Sequence, residues 1–507
     1  MPAKVYSAAI VGLDGEKVDV QADVSSGLHS FGIVGLPDAA VKESRDRVSS
    51  AIKNSGFRPP NRCGRVTVNL APADLPKSGP IYDLPIALAL LAATDQLRVD
   101  WEEKMFIGEL ALDGTVRPVV GTLVLTLLAR KLGVREVFVP EQNAAEARVV
   151  SGVRVYPLSS LRQAVEHLGG DSPLEPLPQI AFEDIEDVSA EVAAVDMKDV
   201  RGQEHAKRAL EIAAAGGHNV LLSGTPGSGK TLMARAMPGI LPKLTFAESL
   251  EITKIYSIAG QLPPEVSLLK RRPFRSPHHS SSAVSLIGGG TVPKPGEISL
   301  AHHGVLFLDE FAEFPKSVLE NLRQPLEDGF VSVSRARGSA LFPADFVLVA
   351  AMNPCQCGYA GDPYHPCACP PSQLARYRRK ISGPIMDRID LHVSVGRVKI
   401  DKLQSDRDGE PSAAIRERVE AARRAQRRRF GDRRTNAGMN VADIKKFCRL
   451  DREGAALLRK AIVGMKLSAR SYHRLIKIAR TIADLAGSEE IKSAHIAEAV
   501  GYRFETD

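Results

Sequence analysis

Short apolar runs in the middle of the chain predict strands that are buried in a domain core. Residues 219–223, 304–308 and 346–352 are rich in valine, leucine, alanine and phenylalanine, and a turn or a polar residue follows each of them. Short apolar runs bounded in this way are typical of strands that are covered on both faces. The middle of the chain is therefore predicted to contain buried β-structure.

The two ends of the chain follow different patterns. Near the N-terminus, β-like runs at 65–70 and 136–140 alternate with a helical pattern at 83–93, which predicts a mixed α/β unit. From residue 402 onward the chain has almost no proline and shows helical periodicity throughout, most clearly at 413–430 and 468–486. This last part is predicted to be entirely helical.

Changes of composition mark the boundaries between these units. Residues 169–178 are rich in glycine and proline, and an acidic stretch follows, which is typical of an exposed linker. A chain of 507 residues is long enough for about two to four domains. We predict an α/β multidomain protein whose parts are an α/β domain at 1–170, a linker at 171–194, an α/β core at 195–400 and a helical domain at 401–507.

Composition narrows the class of protein. The 44% hydrophobic content is ordinary for a globular protein, and the longest apolar runs are too short to span a bilayer. The N-terminus lacks a secretory pattern, so we expect a cytoplasmic protein without a membrane partner. Six cysteines do not suggest a disulfide framework in so long a chain. The net charge of +7 is small for a chain of this length, so the positions of the charges say more about binding partners than their total does.

The residues that follow the first apolar run match a phosphate-binding loop. Residues 224–231 fit the pattern G-x-x-x-x-G-K-[ST] and come directly after a predicted strand. Glycines let backbone N–H groups wrap a polyphosphate, Lys230 can reach the β- and γ-phosphates, and the Thr231 hydroxyl can ligate Mg²⁺. The predicted nucleotide-binding residues are Gly224, Thr225, Pro226, Gly227, Ser228, Gly229, Lys230 and Thr231.

The second apolar run ends in two carboxylates. Asp309 would hold Mg²⁺ at the end of a strand, and Glu310 would polarise the attacking water. A phosphate loop behind a strand, together with an apolar strand that ends in Asp-Glu, predicts an ATPase that uses ATP and Mg²⁺. The alternative is a decayed site that binds without turnover, although every residue that hydrolysis needs is present.

Segments around these motifs resemble the AAA+ ATPases. Residues 199–203 resemble the base-contacting segment of that class, and Asn353 matches sensor 1, where an amide orients the attacking water. Residues 382–391 resemble the arginine-finger segment of magnesium chelatase motor subunits and MCM helicases. By that resemblance Arg388 acts on the ATP of the neighbouring subunit. Residues 467–471 open a predicted helix in the last unit and look like sensor 2, with Arg470 directed at the γ-phosphate. A surface role for either arginine is the alternative.

Two further features resemble the clade that contains chelatases and MCM helicases. Residues 271–280 and 286–290, between the two nucleotide motifs, look like its helix-2 insertion. Residues 329–341 alternate like a β-hairpin, with Arg335 and Arg337 near its turn. They match the hairpin that lines the central pore in this clade. Arg335 and Arg337 are therefore predicted to contact the DNA backbone, largely without regard to base sequence.

The whole chain is similar to the YifB/ComM family of magnesium chelatase-like bacterial AAA+ proteins. Residues 12–15, 31–38 and 272–279 all fit that family, and matching segments fall in all three units. The resemblance implies an ATP-driven homo-oligomeric ring, a hexamer. It also implies a DNA helicase that promotes branch migration on single-stranded or branched DNA during natural transformation.

The first unit resembles the fold of the Lon protease domain, the S5 type, through residues 75–83 and 106–114. The Lon pattern needs a serine directly after its Gly-Pro and a lysine on a later helix. Here Ile81 stands in place of that serine, and the predicted helix at 122–129 carries no lysine. Ser-Lys proteolysis should therefore be lost, and the domain is predicted to be a scaffold for assembly or for guiding DNA.

Four of the cysteines are clustered as two C-x-C pairs separated by nine residues: Cys355, Cys357, Cys367 and Cys369. Four thiolates on two short turns can close a tetrahedral Zn²⁺ site. Because C-x-C is less common than C-x₂-C in such sites, a redox-labile loop without metal is the alternative. Cys63 and Cys448 stand alone and are predicted to be small buried residues.

Arginine-rich stretches at 376–380 and 423–434 suit phosphates, but they also fit a solvated helix face or a subunit contact. For the stretch at 423–434 we favour a solvated helix face or a subunit contact over binding to phosphates. Other functions compete with the DNA helicase. They are a chelatase motor that inserts metal into a tetrapyrrole, a protein-remodelling ATPase without a DNA substrate, and a nucleotide-gated DNA-binding scaffold with negligible turnover.

Overall fold

Two β-sheets and a helical region follow one another along the chain. The computed structural model describes residues 3–60, 64–186, 195–290, 293–335, 338–397, 409–465 and 468–503. The first sheet is mixed and the second is entirely parallel. The chain is thus an α/β protein with a helical C-terminal region, as its sequence predicts.

The first sheet has seven strands in the order β3-β4-β2-β1-β5-β8-β9, and a separate ribbon pairs β6 with β7. Strand β2 is antiparallel to both of its neighbours, and the other adjacent pairs are parallel. The strands of this part are β1 Ala3–Val11, β2 Asp14–Ser25, β3 Ser30–Val34, β4 Arg65–Ala71, β5 Lys104–Phe106, β6 Glu109–Leu110, β7 Val116–Arg117, β8 Glu136–Pro140 and β9 Arg154–Leu158.

Helices cover this sheet, and two of them were predicted from the sequence. Asp83–Ala93 has the predicted bounds, packs on β1 and β2, and is buried along nearly all its length. Thr122–Lys131 extends beyond the predicted end, so the expectation that this helix lacks a lysine is wrong. Lys131 is nevertheless exposed at the end of the helix. The remaining helices here are Ala39–Asn54, Ala144–Ala147 and Leu161–Gly169.

The second sheet has five parallel strands in the order β11-β14-β17-β10-β18. Two short antiparallel ribbons, β12 with β13 and β15 with β16, lie outside it. The strands of this part are β10 Val220–Gly224, β11 Phe274–Arg275, β12 Gly288–Gly289, β13 Lys294–Pro295, β14 Val305–Leu308, β15 Phe330–Arg335, β16 Gly338–Pro343, β17 Val347–Met352 and β18 Leu391–Val395.

Strand β10 occupies the point where the order of the sheet reverses. The next strands along the chain lie on one side of it, and β18 lies on the other. In open parallel sheets, ligands bind outside the carboxyl ends of the strands near such a point. The helices of this core are Glu204–Gly216, Lys230–Ile240, Phe246–Ala259, Ala283–Ile287, Glu297–Leu300, Lys316–Glu320, Arg323–Asp328, Pro371–Arg378 and Gly383–Met386.

A buried carboxylate joins the first unit to the core. Glu146 accepts hydrogen bonds from the Ser257 hydroxyl of the core and from the backbone N–H of Leu123. Burial raises the pKa of Glu146, and these donors partly offset that effect. The backbone N–H of Gly121 also donates to the carbonyl of Ser257 over 3.1 Å. The two units therefore share a buried polar contact.

The C-terminal helices dock on the core through a buried histidine. His218 precedes β10, and its ring nitrogens lie 3.2 Å from Asp390 Oδ2 and 2.8 Å from Thr481 Oγ1. None of the described helices combines the length and the apolar character that crossing a membrane requires. The helices of this region are Ser412–Phe430, Val441–Phe447, Arg452–Gly464, Ala469–Leu485 and Ser493–Val500.

Candidate nucleotide-binding site

The predicted phosphate loop connects the end of β10 to the start of the helix Lys230–Ile240. Gly227 and Gly229 have φ angles of +75° and +88°, which glycine adopts without strain. A Cβ on Gly224 would lie 2.1 Å from the Val395 carbonyl oxygen, so the loop also needs glycine where it leaves the sheet. The glycines of the motif thus permit a tight turn at the carboxyl end of the central strand.

Lys230 lies inside this loop and is almost fully buried. Its Nζ donates to the carbonyls of Gly224 and Thr225 over 2.7 and 2.9 Å. Burial lowers the pKa of Lys230, and the nearby carboxylate of Asp309 partly opposes this. The hydroxyl oxygen of Thr225 is buried without a hydrogen-bond partner among the described residues. The loop therefore contains the ammonium group of Lys230 and a hydroxyl without a partner, and both could bind phosphate oxygens.

Thr231 and Asp309 meet across the site. Thr231 Oγ1 donates to Asp309 Oδ2 over 2.9 Å, although the two residues are far apart in the chain. Strand β14 brings Asp309 to this edge, because it lies parallel to β17, which in turn lies beside β10. A hydroxyl and a carboxylate are hard oxygen ligands of the kind that Mg²⁺ takes in phosphate sites. The pair therefore fits the predicted Mg²⁺ role.

Glu310 stands next to Asp309 with a strained backbone. Its φ is +51°, a conformation that residues other than glycine rarely adopt, and its N–H donates to Asp309 Oδ1 over 2.9 Å. Its side chain is about half exposed, and its Oε2 lies 3.0 Å from Nδ1 of His279. Strain of this kind clusters at functional sites. The sequence analysis did not predict the contact with His279.

Asn353 reaches the same site from the neighbouring strand. It follows β17, and its Oδ1 lies 3.4 Å from Nζ of Lys230. The structure thus brings together the residues predicted for phosphate, Mg²⁺ and water: Lys230, Thr231, Asp309, Glu310 and Asn353.

Arg388 lies elsewhere in the subunit and is engaged by its own chain. Its side chain is buried, one Nη forms an ion pair with Glu327 and the other donates to the Pro384 carbonyl over 2.6 Å. Its Nε has no hydrogen-bond partner among the described residues. An arginine finger must project toward a neighbour, so these contacts would have to open in an assembly. The finger role of Arg388 stays a prediction.

Arg470, the predicted sensor 2, is exposed in the first turn of the helix Ala469–Leu485. One turn further on, Arg474 lies 3.5 Å from Asp390, and one of its Nη atoms is buried without a partner. Burial lowers the pKa of Arg474, and the carboxylates of Asp390 and Asp387 partly oppose this. The sequence analysis did not name Arg474. Its position four residues after Arg470 places both arginines on the same face of the helix, and this spacing could have indicated it.

The four clustered cysteines converge beside the phosphate loop. Sγ of Cys355 lies 3.3 Å from that of Cys357 and 3.7 Å from that of Cys367, and all four sulfurs lie within 4.8 Å of one another. Zn–S bonds of about 2.3 Å in a tetrahedron place sulfurs about 3.8 Å apart, so the donor set fits Zn²⁺. A Cβ on Gly358 would lie 2.9 Å from the Pro226 ring, so this turn abuts the phosphate loop.

The predicted hairpin is present as the ribbon of β15 and β16, in which Phe330 pairs with Pro343 and Arg335 with Gly338. Its two faces differ as the alternation predicts, with Val331 buried and Leu341 exposed. Arg335 belongs to β15, whereas Arg337 lies outside the described residues. The fold thus supplies the hairpin, and the contacts of its two arginines with DNA stay predictions.

The arginine-rich stretch at 423–434 is largely occupied with the protein itself. Arg423 donates to the Ala214 carbonyl, and Arg429 forms an ion pair with Asp484. Arg424, Arg427 and Arg428 of the same helix are exposed. Arg423 therefore docks this helix on the core, and Arg429 joins it to another helix of the C-terminal region.

Comparisons with known families cover all three parts of the chain. The family model described as magnesium chelatase, subunit ChlI, matches residues 196–403. Those described as subunit ChlI of Mg-chelatase and as its C-terminal part match residues 20–143 and 409–503. The matches thus include the core with the candidate site and the helical region that follows it.

Individual relatives extend this similarity over nearly the full length. The chain is 45% identical over 503 residues to the competence protein ComM of Haemophilus influenzae, which covers 99% of this chain and 97% of the relative. It is 43% identical over 502 residues to protein YifB of Escherichia coli, covering 98% and 96%. The magnesium-chelatase 67 kDa subunit of Chlorobaculum parvum is 33% identical over 162 residues, 31% of this chain and 23% of that subunit. With this identity over nearly its whole length and with family matches in all three parts, the chain belongs to the YifB/ComM family of magnesium chelatase-like AAA+ ATPases.

Proposed function

We propose that the protein is an ATP-driven DNA motor, a ring helicase or branch-migration translocase in DNA recombination during natural transformation. The observation that carries the proposal is the edge of the parallel sheet where Lys230, Thr231, Asp309, Glu310 and Asn353 meet. A scaffold that only binds nucleotide has no use for a water-activating carboxylate and a water-orienting amide beside the phosphate loop. This set therefore favours turnover.

In the proposed reaction, a water oxygen attacks the γ-phosphorus of ATP and forms a new P–O bond. The bond from that phosphorus to the bridging oxygen breaks, ADP leaves with the electron pair, and the proton of the water passes to the carboxylate of Glu310. Lys230 would exchange the Gly224 and Thr225 carbonyls for phosphate oxygens. Mg²⁺, held by Thr231 and Asp309, would neutralise phosphate charge.

We propose DNA as the polymer on which the motor acts, and the support comes from the β15–β16 hairpin and from the name of one relative. One face of the ribbon β15–β16 is exposed, with Ser332, Ser334 and Leu341 on it, and the sequence places Arg335 and Arg337 near the tip of this hairpin. The relative from Haemophilus influenzae is named a competence protein, which supports a role in the uptake or recombination of DNA. Backbone contacts from arginine would serve single-stranded or branched DNA of any sequence.

The proposed active assembly is a hexameric ring with ATP between subunits. A head-to-tail contact that closes into a ring gives every subunit the same neighbour on each side. Arg388 would leave Glu327 and complete the site next door, while Glu327, which is half exposed, can return to solvent. The unpartnered Nε of Arg388 would gain an acceptor there.

The first unit is proposed to be a degenerate Lon-like scaffold. Ile81, in the position of the Lon serine, is buried in the turn Pro80–Tyr82, and Lys131 is exposed at a helix end. Lys77 is buried, and its Nζ donates to the Pro72 carbonyl. These placements favour a role in assembly or in guiding DNA over proteolysis.

We also propose that the four clustered cysteines hold a structural Zn²⁺. The support is the convergence of their sulfurs and the N–H of Ala360, which donates to Cys355 Sγ over 3.2 Å. A donor to a coordinating sulfur is typical of the shell around a metal site. Bound Zn²⁺ would supply a rigid crosslink between the two C-x-C turns.

The motor proposal predicts that Glu310→Gln abolishes ATP-driven strand separation of a forked or four-way-junction DNA. Loss of the general base should lower ATP turnover by about 10²–10⁴-fold while ATP binding persists. Glu313→Gln is the matched control, because Glu313 forms a surface ion pair with Lys380 over 2.7 Å and should leave turnover unchanged. Retained strand separation in Glu310→Gln would argue strongly against the motor.

A second prediction concerns the action of Arg388 across subunits. Arg388→Ala and Lys230→Ala should each be inactive, but a mixture should regain ATPase, since about a quarter of the interfaces in a randomly mixed ring combine intact residues. Mixing Lys230→Ala with Glu310→Gln should restore nothing, because both residues belong to the same subunit's site. No recovery with Arg388→Ala would mean that Arg388 does not act on a neighbour.

The zinc proposal predicts about one Zn²⁺ per chain in protein purified without chelator. Elemental analysis combined with titration of free thiols should show that Cys357→Ser loses the metal. Cys448→Ser is the control, because Cys448 is buried beside Met439, away from the cluster, and its loss should leave the metal content unchanged. Wild-type protein that holds no zinc and whose clustered thiols all react would overturn the proposal.

A further inference from the structure

A cavity of about 360 Å³ lies between the core and the first helix of the C-terminal region, Ser412–Phe430. Gly217, Gly304 and Val347 line it at or shortly before the starts of β10, β14 and β17. The cavity therefore lies at the amino edge of the parallel sheet, whereas the nucleotide site lies at the carboxyl edge. Its volume falls within the range of about 300–1,000 Å³ that small-molecule sites occupy.

Arginines give this cavity an excess of positive charge. Five arginines and three carboxylates line it. Glu248 forms an ion pair with Arg272 over 3.5 Å. Asp432 forms another with Arg434 over 2.8 Å. Because the guanidinium groups outnumber the carboxylates, the lining carries net positive charge and attracts anions.

Two of these arginines belong to the helix Ser412–Phe430 and form no ion pair with the described residues. They are Arg423 and Arg427, one turn apart. Nε and Nη2 of Arg423 donate to the Ala214 carbonyl over 3.2 and 2.8 Å, and its Nη1 has no hydrogen-bond partner in the described part of the chain. Burial lowers the pKa of Arg423 to about 10, and the positive charge of Arg272 adds to that effect. A cation withdrawn from water without a carboxylate partner is stabilised by a bound anion.

The rest of the lining suits the other parts of a small molecule. Leu241, Phe346 and Val347 are apolar, and an aromatic ring beside aliphatic side chains can pack against a planar base. The carboxylates of Glu248 and Asp345 can accept hydrogen bonds from hydroxyl or amino groups. A cavity with a cationic part, an apolar part and a few acceptors fits a ligand that has an anionic group and a flat ring.

We propose that this cavity binds a nucleoside phosphate at a site separate from the ATP of the phosphate loop. The guanidinium groups would bind the phosphate oxygens through paired N–H donors, and the base would contact Phe346. Such a ligand would touch both the core and the helix Ser412–Phe430, and so would hold the C-terminal region on the core. The proposal does not depend on the motor function proposed above.

The test is isothermal titration calorimetry of the full chain with AMP, GMP, CMP, UMP and pyrophosphate. Monophosphates are used because the phosphate loop recognises the β- and γ-phosphates. At least one nucleotide should bind at one site per chain, and Arg427→Gln should weaken its binding about tenfold or more. Arg424→Gln is the matched control, because Arg424 is exposed on the same helix but does not line the cavity. Lys230→Ala should leave this binding unchanged.

Several results would overturn the proposal. Wild-type protein that binds none of the nucleotides at millimolar concentration has no such site. Binding that Lys230→Ala abolishes and Arg427→Gln preserves would belong to the phosphate loop. Equal losses in Arg427→Gln and Arg424→Gln, in variants that melt like the wild type, would indicate charge attraction without a built site. If only a single-stranded oligonucleotide binds and Arg427→Gln weakens it, these arginines contact nucleic acid instead.

Discussion

The parallel alignment of three adjacent strands is the constraint on which the site depends. Val220 of β10 lies opposite Val349 of β17, and Val349 lies opposite Phe307 of β14, so the three strands run in one direction and in register. Their carboxyl ends consequently deliver the phosphate loop, Asn353 and the Asp309–Glu310 pair to one edge. Reversing one strand would move its residues by roughly 15 Å, the length of a short strand, and dismantle the site.

Contacts lead from this edge to two other parts of the protein. His279 connects Glu310 to the segment that follows β11, and Gly358 connects the cysteine turn to the phosphate loop at Pro226. Arg388 is held at the opposite end of the central strand, where Asn219, which precedes β10, donates through Nδ2 to the Arg388 carbonyl over 3.1 Å. The nucleotide site is therefore in direct contact with the segment after β11 and with the proposed metal site.

Local sequence patterns predicted the features that depend on residues close together in the chain, such as helices and the phosphate loop. The helix predicted at 413–430 is found at Ser412–Phe430, because helical periodicity is a local property of the sequence, and the phosphate loop follows from its motif. The contacts of Glu310 with His279 and of Arg388 with Glu327 could not be predicted, because they join residues that only the tertiary fold brings together. The helix ending at Lys131 was misjudged by two residues, since helix ends are poorly specified by propensity.

The measurement that tests the central claim most directly is the steady-state ATPase of the purified wild-type protein. It is measured alone and with single-stranded, duplex and four-way-junction DNA. A hydrolytic site coupled to a DNA-contacting hairpin predicts several-fold stimulation that is strongest on single strands or junctions. Good basal turnover that no DNA changes would contradict the account and would point to an ATPase that acts on a protein or a tetrapyrrole.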